Sequence, residues 1–368
     1  MKTVKVLHAA DLHLDSPFEA LPGALAARRR AEQRELLATL PGLAAETGAQ
    51  IILLPGDLLD SDSAYGETAR LLAEVFDGAA AEVFIAPGNH DYYYQDAPYA
   101  RLRFPENVHI FRENRLTAVP LRDLGVRVWG AAFTDRRSAP LLRGWTCPRV
   151  PRQIELLCLH GEVGNPASPY NPISEAELAA CRVDYAALGH VHRFDGVRRA
   201  GATTYAWPGC PEGRGFDETG EKGVLIAEVS EGAAKASFFP MDTRRYEILS
   251  VDVTDLEPLE AVLKALPEDS ARHIYRVILR GERLRAPNLP ALRTALEGMT
   301  FALDLRDETR IRRSVWDGAG EDTLRGLFLA SLRRAYDAAE SERARAKITM
   351  AARWGLAALD GEEEVFPI

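Results

Sequence analysis

Five short polar stretches, each directly after an apolar run, constrain this chain more than any other feature of its sequence. They are DLH at 11–13, PGDLLD at 55–60, PGNHD at 87–91, CLHGE at 158–162 and GHVH at 189–192. The apolar runs read as buried strands, and the polar stretches read as the turns where those strands end. In an open α/β sheet the carboxyl ends of the strands gather along one edge, so chemistry carried on such turns converges in space. Six of the eight histidines, His8, His13, His90, His160, His190 and His192, lie within or just ahead of these stretches. Taken singly, each stretch is an ordinary turn, with a surface histidine or a capping aspartate. Taken together they place Asp11, His13, Asp57, Asn89, His90, His160, His190 and His192 at one end of the fold.

The frame around them alternates strand and helix through the first half. VKVLHAA, QIILLPG and AEVFIAPG are strands, separated by helices over 25–46 and 65–78. From residue 108 the segments shorten (VHIF, VRVWGAAF, IELLCLHG, VDYAALGH, GVLIAEVS, KASFFPM), which predicts a second sheet packed on the first. YEILSVDV, HIYRVILRG and TFALDLR, with helices near 255–266 and 289–298 between them, form a smaller strand-helix-strand-helix-strand block. Residues 322–359 read as helix, with Leu324, Leu327, Phe328 and Leu332 as one apolar stripe that either packs on its own domain or docks a partner helix. DGAGED at 317–322 is a candidate hinge.

Composition narrows the class. The 368 residues are 46% hydrophobic, enough for one large domain and a smaller one, and too apolar for global disorder. The opening MKTVKVLHAADLHL lacks the apolar core of a secretory signal, and no stretch approaches the roughly 18 apolar residues of a membrane span. Cys147, Cys158, Cys181 and Cys210 are scattered, so neither a disulfide framework nor a thiolate zinc site is indicated, and a reducing cytoplasm is the expected location.

The chemistry follows from counting donors. Two divalent ions about 3.5–4 Å apart need a carboxylate that spans them and a mixed oxygen and nitrogen shell that leaves room for water and substrate. Asp57, on the tight turn of its motif, is the natural bridge. Imidazole and carboxylate without thiolate favour manganese, with iron or zinc as alternatives.

This constellation resembles the calcineurin-like metallophosphoesterase superfamily. HAADLHLDSPF at 8–18, and WPGCPEGRGFDETGEKGV at 207–224 after the GHVH pair, resemble its DNA-repair nuclease branch, the SbcD-like proteins, and most of all the YhaO-type exonucleases. The motifs cover residues 1 to about 225; the later block and tail match in arrangement only. The resemblance implies an α/β fold: a two-sheet metallophosphoesterase sandwich flanked by helices, with a small α+β capping domain and a C-terminal helical tail. The corresponding domains are 1–243 (nuclease), 244–312 (capping, DNA-binding) and 313–368 (ATPase docking). Carried over position by position, Asp11, His13 and His192 hold one ion, Asn89, His160 and His190 the other, and Asp57 bridges. His90 is left without a metal and faces the substrate as a proton donor or charge stabiliser. Asp60, three residues after the bridge, is expected to pair with His90 and fix its ring. His8 reads as structural, and His109 and His273 lie outside every motif.

The implied activity is a manganese-dependent DNA phosphodiesterase, an exonuclease on double-stranded ends with single-strand endonuclease activity. It would work as a homodimer beside an SMC-like coiled-coil ATPase resembling SbcC. A net charge of -9 opposes nucleic-acid binding, but the cations are almost all arginine, and two divalent ions set the local field where a phosphate would sit. RLRF at 101–104 and DRRS at 135–138 extend a candidate track, while Arg214, Glu218 and Lys222 either contact the backbone of the nucleic acid or shape their loop. Two other readings remain: a phosphoesterase of small phosphodiesters or phosphoproteins, and a weakly catalytic scaffold for the ATPase.

Overall fold

The unbroken apolar runs become strands covered on both faces, which is why they do not alternate with polar residues. The computed structural model describes residues 2–241, 244–283, 285–311 and 314–359. β1 (Thr3–His8), β2 (Ile51–Leu54), β3 (Glu82–Ile85) and β4 (Val108–Ile110) lie parallel, side by side. β5 (Thr117–Leu121), β6 (Val126–Gly130) and β7 (Ile154–His160) follow, then a short pair, β8 (Glu162–Val163) and β9 (Pro172–Ile173). β10 (Tyr185–Gly189), β11 (Arg198–Ala200), β12 (Thr203–Ala206), β13 (Gly223–Ser230) and β14 (Ala233–Pro240) complete two six-stranded sheets. Their orders are β14-β13-β1-β2-β3-β4 and β11-β12-β10-β7-β6-β5.

The α/β sandwich of two sheets flanked by helices is thus the observed fold, with one redistribution. Three segments expected in the second sheet, at 108–110, 223–230 and 233–240, belong to the first. β4 extends its parallel edge, and β13 returns antiparallel beside β1, from Thr3 opposite Ser230 to His8 opposite Leu225, with β14 as its hairpin partner.

Period-two alternation along each strand divides the apolar side chains between layers. Leu7, Ile52, Leu54, Val83 and Ile85 pack under helices α1 (Gly23–Thr47) and α2 (Gly66–Glu74) through Leu36, Leu37, Leu40 and Leu72. Val4, Val6, Leu53 and Phe84 meet Val128, Leu156, Cys158 and Tyr185 between the sheets. Beyond the short α3 (Pro98–Arg101), helix α4 (Glu175–Cys181) covers the outer face of the second sheet, with Leu178 and Cys181 against Leu157, Leu159 and Leu188.

The chain divides into two compact units. The first is Met1–Ile248 with Glu268–Arg276 and Gly298–Leu303; the second is Leu249–Pro267, Val277–Glu297 and Asp304–Ile368. The domain limits expected at 243 and at 312–313 lie outside the described residues, as does 360–368 of the tail. A three-stranded sheet of β15 (Tyr246–Asp252), β16 (Ile274–Arg280) and β18 (Ala302–Asp307), and a pair of β17 (Glu282–Arg283) and β19 (Arg310–Ile311), account for the remaining strands. Within the second unit, α5 (Pro258–Ala265) and α6 (Leu289–Ala295) contribute Val262 and Leu292 to a core that also contains Val253, Val277, Leu279 and Leu296.

The stretch expected as one long helix is two, α7 (Leu324–Asp337) and α8 (Glu342–Leu359). Ser341 starts the second, its Oγ accepting the Ala344 N–H at 3.2 Å. Gly355 lets the two helices close on each other, since a Cβ there would run into the Phe328 ring. The expected stripe is split accordingly: Phe328 and Leu332 are partly buried beside the fully buried Leu329, whereas Leu324 and Leu327 are 72% and 62% exposed. Among the described residues no helix is long and apolar enough to cross a membrane.

Candidate metal centre

The loops after β1 and β2 are zipped together before any side chain acts. Asp11 N donates to Gly56 O (3.1 Å), His13 N to Asp57 O (2.9 Å), Leu14 N to Leu58 O (2.8 Å) and Asp60 N to Leu14 O (2.9 Å). This pairing forces a left-handed backbone on Asp11, His13 and Asp57 (φ 54°, 44° and 51°), and His190 adopts φ 103°. Each such residue costs about 1–3 kcal/mol. At about 1.5–3 kcal/mol per fully buried aliphatic side chain, the three apolar layers beneath outweigh that strain many times over. Gly88 is required by close approach, because a Cβ there would collide with the Asp57 carboxylate.

Asp11, His13 and His192 offer ligand atoms within 4.8 Å of one another, and so do Asp57, His160 and His190. The hydrogen bonds fix which ring nitrogens are bare. His13 Nδ1 lies 3.0 Å from Asp60 Oδ1, and His192 Nδ1 lies 2.7 Å from Glu218 Oε1. A carboxylate only accepts, so both Nδ1 atoms carry a proton, and in the neutral rings both Nε2 atoms present lone pairs. Those two Nε2 atoms face each other at 3.1 Å.

In the second cluster, His160 Nδ1 donates to the Pro55 carbonyl at 3.0 Å, which leaves His160 Nε2 as a lone pair. It points at Asn89 Oδ1 (2.9 Å), His190 Nδ1 (3.2 Å) and Asp57 Oδ2 (3.4 Å). Imidazole nitrogens and carboxylate and amide oxygens thus converge in both clusters, a set of nitrogen and oxygen ligands that a cation can take up together. The residues fit the divalent ions that the donor set implies.

Burial sharpens the same point. It pushes the Asp11 carboxyl up to about 8 and raises Asp57 as well, while His160 and His190 are drawn down to about 4. The His160 and His190 rings are therefore neutral ligands near neutral pH, whereas His192, against its burial, is raised by its hydrogen bond to Glu218, and the carboxylates hold their negative charge only against a desolvation cost that a cation removes. One expected result is a proton released on metal uptake. Below about pH 8 a cation must displace the Asp11 proton, so manganese affinity of the metal-free protein rises about tenfold per pH unit from pH 6 and levels above 8. Calorimetry at pH 7 in buffers of different ionisation enthalpy measures this; binding that is flat with pH and releases no proton contradicts it.

His90 is exposed and sits 4.8 Å, ring to ring, from His13. Its Nδ1 contacts a carbonyl, that of Asp60, at 2.9 Å, which fixes the proton there and leaves Nε2 free. The expected pairing of the Asp60 carboxylate with His90 is therefore not what the structure has. That carboxylate accepts from His13 Nδ1 and, at 2.9 Å, from Arg214 Nη1. Asp60 holds a member of the ligand cluster with its side chain and His90 with its backbone. Arg214 and Glu218 shape the loop around His192, and Lys222 Nζ reaches the His192 carbonyl at 3.4 Å.

Asp91 is the residue that sequence reasoning passed over. Its carboxylate collects the backbone N–H groups of Asp57 (3.1 Å), Leu58 (2.7 Å), Leu59 (3.3 Å) and Gly88 (2.8 Å), together with the Tyr99 hydroxyl. It binds the turn after β2 to the turn after β3, which positions Asp57 and Asn89 relative to each other. Asp91→Ala strands these buried donors at about 1–3 kcal/mol each, so a loss of about 3 kcal/mol or more in unfolding free energy is expected from urea denaturation. An unchanged midpoint would deny the clamp. His8 is interior, between the Tyr185 hydroxyl (2.9 Å) and the Leu188 carbonyl (3.2 Å), and burial drops its pKa to about 3. His109 pairs with Glu82 and His273 with Asp269, away from the clusters.

Two clefts flank the clusters. One of about 310 Å³ is lined by Asp60, Ser61, Asp62, Asn89, His90, Arg136 and Tyr170. The other, about 490 Å³, runs past His190, His192, Glu218 and Lys222. Of the arginine stretches, DRRS thus supplies Arg136 to the His90 cleft, whereas Arg101 of RLRF is paired with Asp96.

Residues 4–194 match the family described as calcineurin-like phosphoesterase, which is 191 of the 368 residues. The chain is also 28% identical over 340 residues to a Bacillus subtilis (strain 168) protein, the uncharacterized metallophosphoesterase YhaO. That match covers 84% of this chain and 79% of the relative.

Proposed function

Given that this chain belongs to the calcineurin-like phosphoesterase family and is a metal-dependent hydrolase, we propose that it is a two-cation DNA phosphodiesterase, an exonuclease of double-stranded ends in the SbcD-like branch. The observation that carries the reading is the pair of ligand clusters, Asp11–His13–His192 and Asn89–His160–His190, with Asp57 between them. Manganese is the favoured ion for this donor set. Bound divalent ions would supply positive charge for the phosphodiester oxygens and acidify an attacking water.

The protein's own groups do the rest. His90 N–H donates to Asp57 Oδ1 at 3.0 Å, which holds that carboxylate in place with Oδ2 turned to the histidines. His90, its Nδ1–H held by the Asp60 carbonyl, presents Nε2, and in the imidazolium form the Nε2 proton passes to the departing oxygen and leaves the neutral ring. Arg136, exposed on the rim of the same cleft, supports a polyanionic substrate, because it places positive charge beside His90 in a chain whose net charge is -9. Leu324 and Leu327, exposed on α7, support docking of a coiled-coil ATPase to the tail, and the active form would be a homodimer.

The test is hydrolysis by the purified full chain with manganese, offered end-labelled linear duplex DNA, circular single strands, a cyclic nucleotide and a phosphopeptide. The expected result is metal-activated shortening of the duplex from its ends. Turnover of only the small substrates removes the DNA reading. Two bound ions with no turnover of any substrate leaves a scaffold.

A further inference from the structure

One side chain links the outer faces of both imidazoles in the first cluster and has no counterpart in the second among the described residues. Arg214 Nη1 donates to Asp60 Oδ1 at 2.9 Å, and that same oxygen holds His13 Nδ1 at 3.0 Å. Arg214 Nη2 donates to Glu218 Oε1 at 2.8 Å, and that oxygen holds His192 Nδ1 at 2.7 Å. The same guanidinium nitrogen lies 3.1 Å from His192 Nδ1, and Arg214 Nε reaches Glu218 Oε2 at 3.3 Å. The geometry is built locally. The Gly215–Glu218 turn closes through Glu218 N to Gly215 O, and the backbone N–H of Arg214 donates to Glu218 Oε2 at 2.8 Å, so arginine and glutamate face each other four residues apart.

The second cluster is held differently. His160 Nδ1 rests on the Pro55 carbonyl, and His190 Nε2 has a carboxylate, Glu162, only at 4.0 Å. Its bracing is main chain on one ring and loose on the other.

We propose that Arg214 is a positioning residue for one of the two cations: through Asp60 and Glu218 it locks His13 and His192 with Nε2 turned inward, so that the Asp11–His13–His192 ion depends on it and the Asn89–His160–His190 ion does not. The inference rests on the two-cation reading above. A planar fork with fixed donor directions is what allows one side chain to span two carboxylates, and a lysine ammonium at the same place keeps the charge but not the span. Partners of metal-bound histidines typically govern about 10- to 100-fold in metal affinity. A purely electrostatic role gives the opposite sign, because removing a cation from beside a cation site tightens it.

Manganese binding to metal-free full-length protein, followed by calorimetry and electron paramagnetic resonance, decides the matter. Wild type is expected to take two ions and show a spin-coupled signal; if it takes fewer than two, the two-cation reading itself fails. Arg214→Lys and Arg214→Gln are each expected to keep one ion at wild-type affinity, bind the other about 10- to 100-fold more weakly, and replace the coupled signal with an isolated one. The double variant His13→Ala/Arg214→Lys is expected to lose no more than His13→Ala alone, which identifies the weakened ion. Tightening in Arg214→Gln, full retention in Arg214→Lys, or equal weakening of both ions overturns the proposal. Should the Arg214 variants fail to fold, Asp60→Ala carries the same expectation of one ion selectively weakened, and loss of both or neither overturns it.

Discussion

Alanine at position 57 leaves a folded protein that retains neither cation in stoichiometric amount and hydrolyses phosphodiesters on the order of 10³-fold or more slowly, the scale of losing a group that organises charge at a reacting centre. The reason is position. Asp57 Oδ2 lies 3.4 Å from His160 Nε2 and 3.8 Å from His13 Nε2, so one carboxylate serves nitrogens of both clusters. It is 1% exposed, and burial raises its pKa, so its charge destabilises the metal-free fold. Metal-free Asp57→Ala should therefore melt no lower than metal-free wild type, while added manganese, which raises the wild-type melting temperature, does nothing for the variant. Elemental analysis and melting with and without chelator read both halves of the expectation. Two ions retained in the variant would remove Asp57 as the shared ligand.

His90→Ala should separate catalysis from metal binding. The side chain sits on the cleft side, and the seven acceptor groups converge without it, so the metal content stays near wild type. Hydrolysis falls by roughly 10²- to 10⁴-fold, the usual contribution of a positioned general acid. The informative alternative is built into the geometry, since ligand atoms of His13, Asp57 and His90 also lie within 4.8 Å of one another. If the variant loses an ion in step with its activity, His90 is a ligand and proton transfer belongs to another group. Unchanged activity dismisses both roles.

The sheet frame and the convergence of the motifs were legible because they are local. An apolar run buried on both faces, closed by Gly and a polar residue, states strand, turn and direction within ten residues. Sheet membership was not legible, because nothing inside 223–230 says whether it lies beside β1 or beside β10; that is decided by which edge is free. Asp60 shows the same limit at the site. Its carboxylate is shared between His13 and Arg214, the latter 154 residues further along the chain. Asp91 escaped notice because it reads backbone N–H groups, which leave no mark on the sequence of their owners. The break between α7 and α8 did leave a mark, the capping Ser341, but the alanines and the glutamate just before it are all strong helix formers.

The two sheets contribute to every cluster. Asp11 and His13 follow β1 while His192 follows β10; Asp57 and Asn89 follow β2 and β3 while His160 ends β7 and His190 follows β10. Neither layer owns a complete set of donors, so each ion would act as a rivet through the seam of the sandwich. A fragment ending after β4 would keep Asp11, His13, Asp57 and Asn89 but complete neither cluster, and stripping the metal would be felt as a loosening of one layer against the other, far from any substrate.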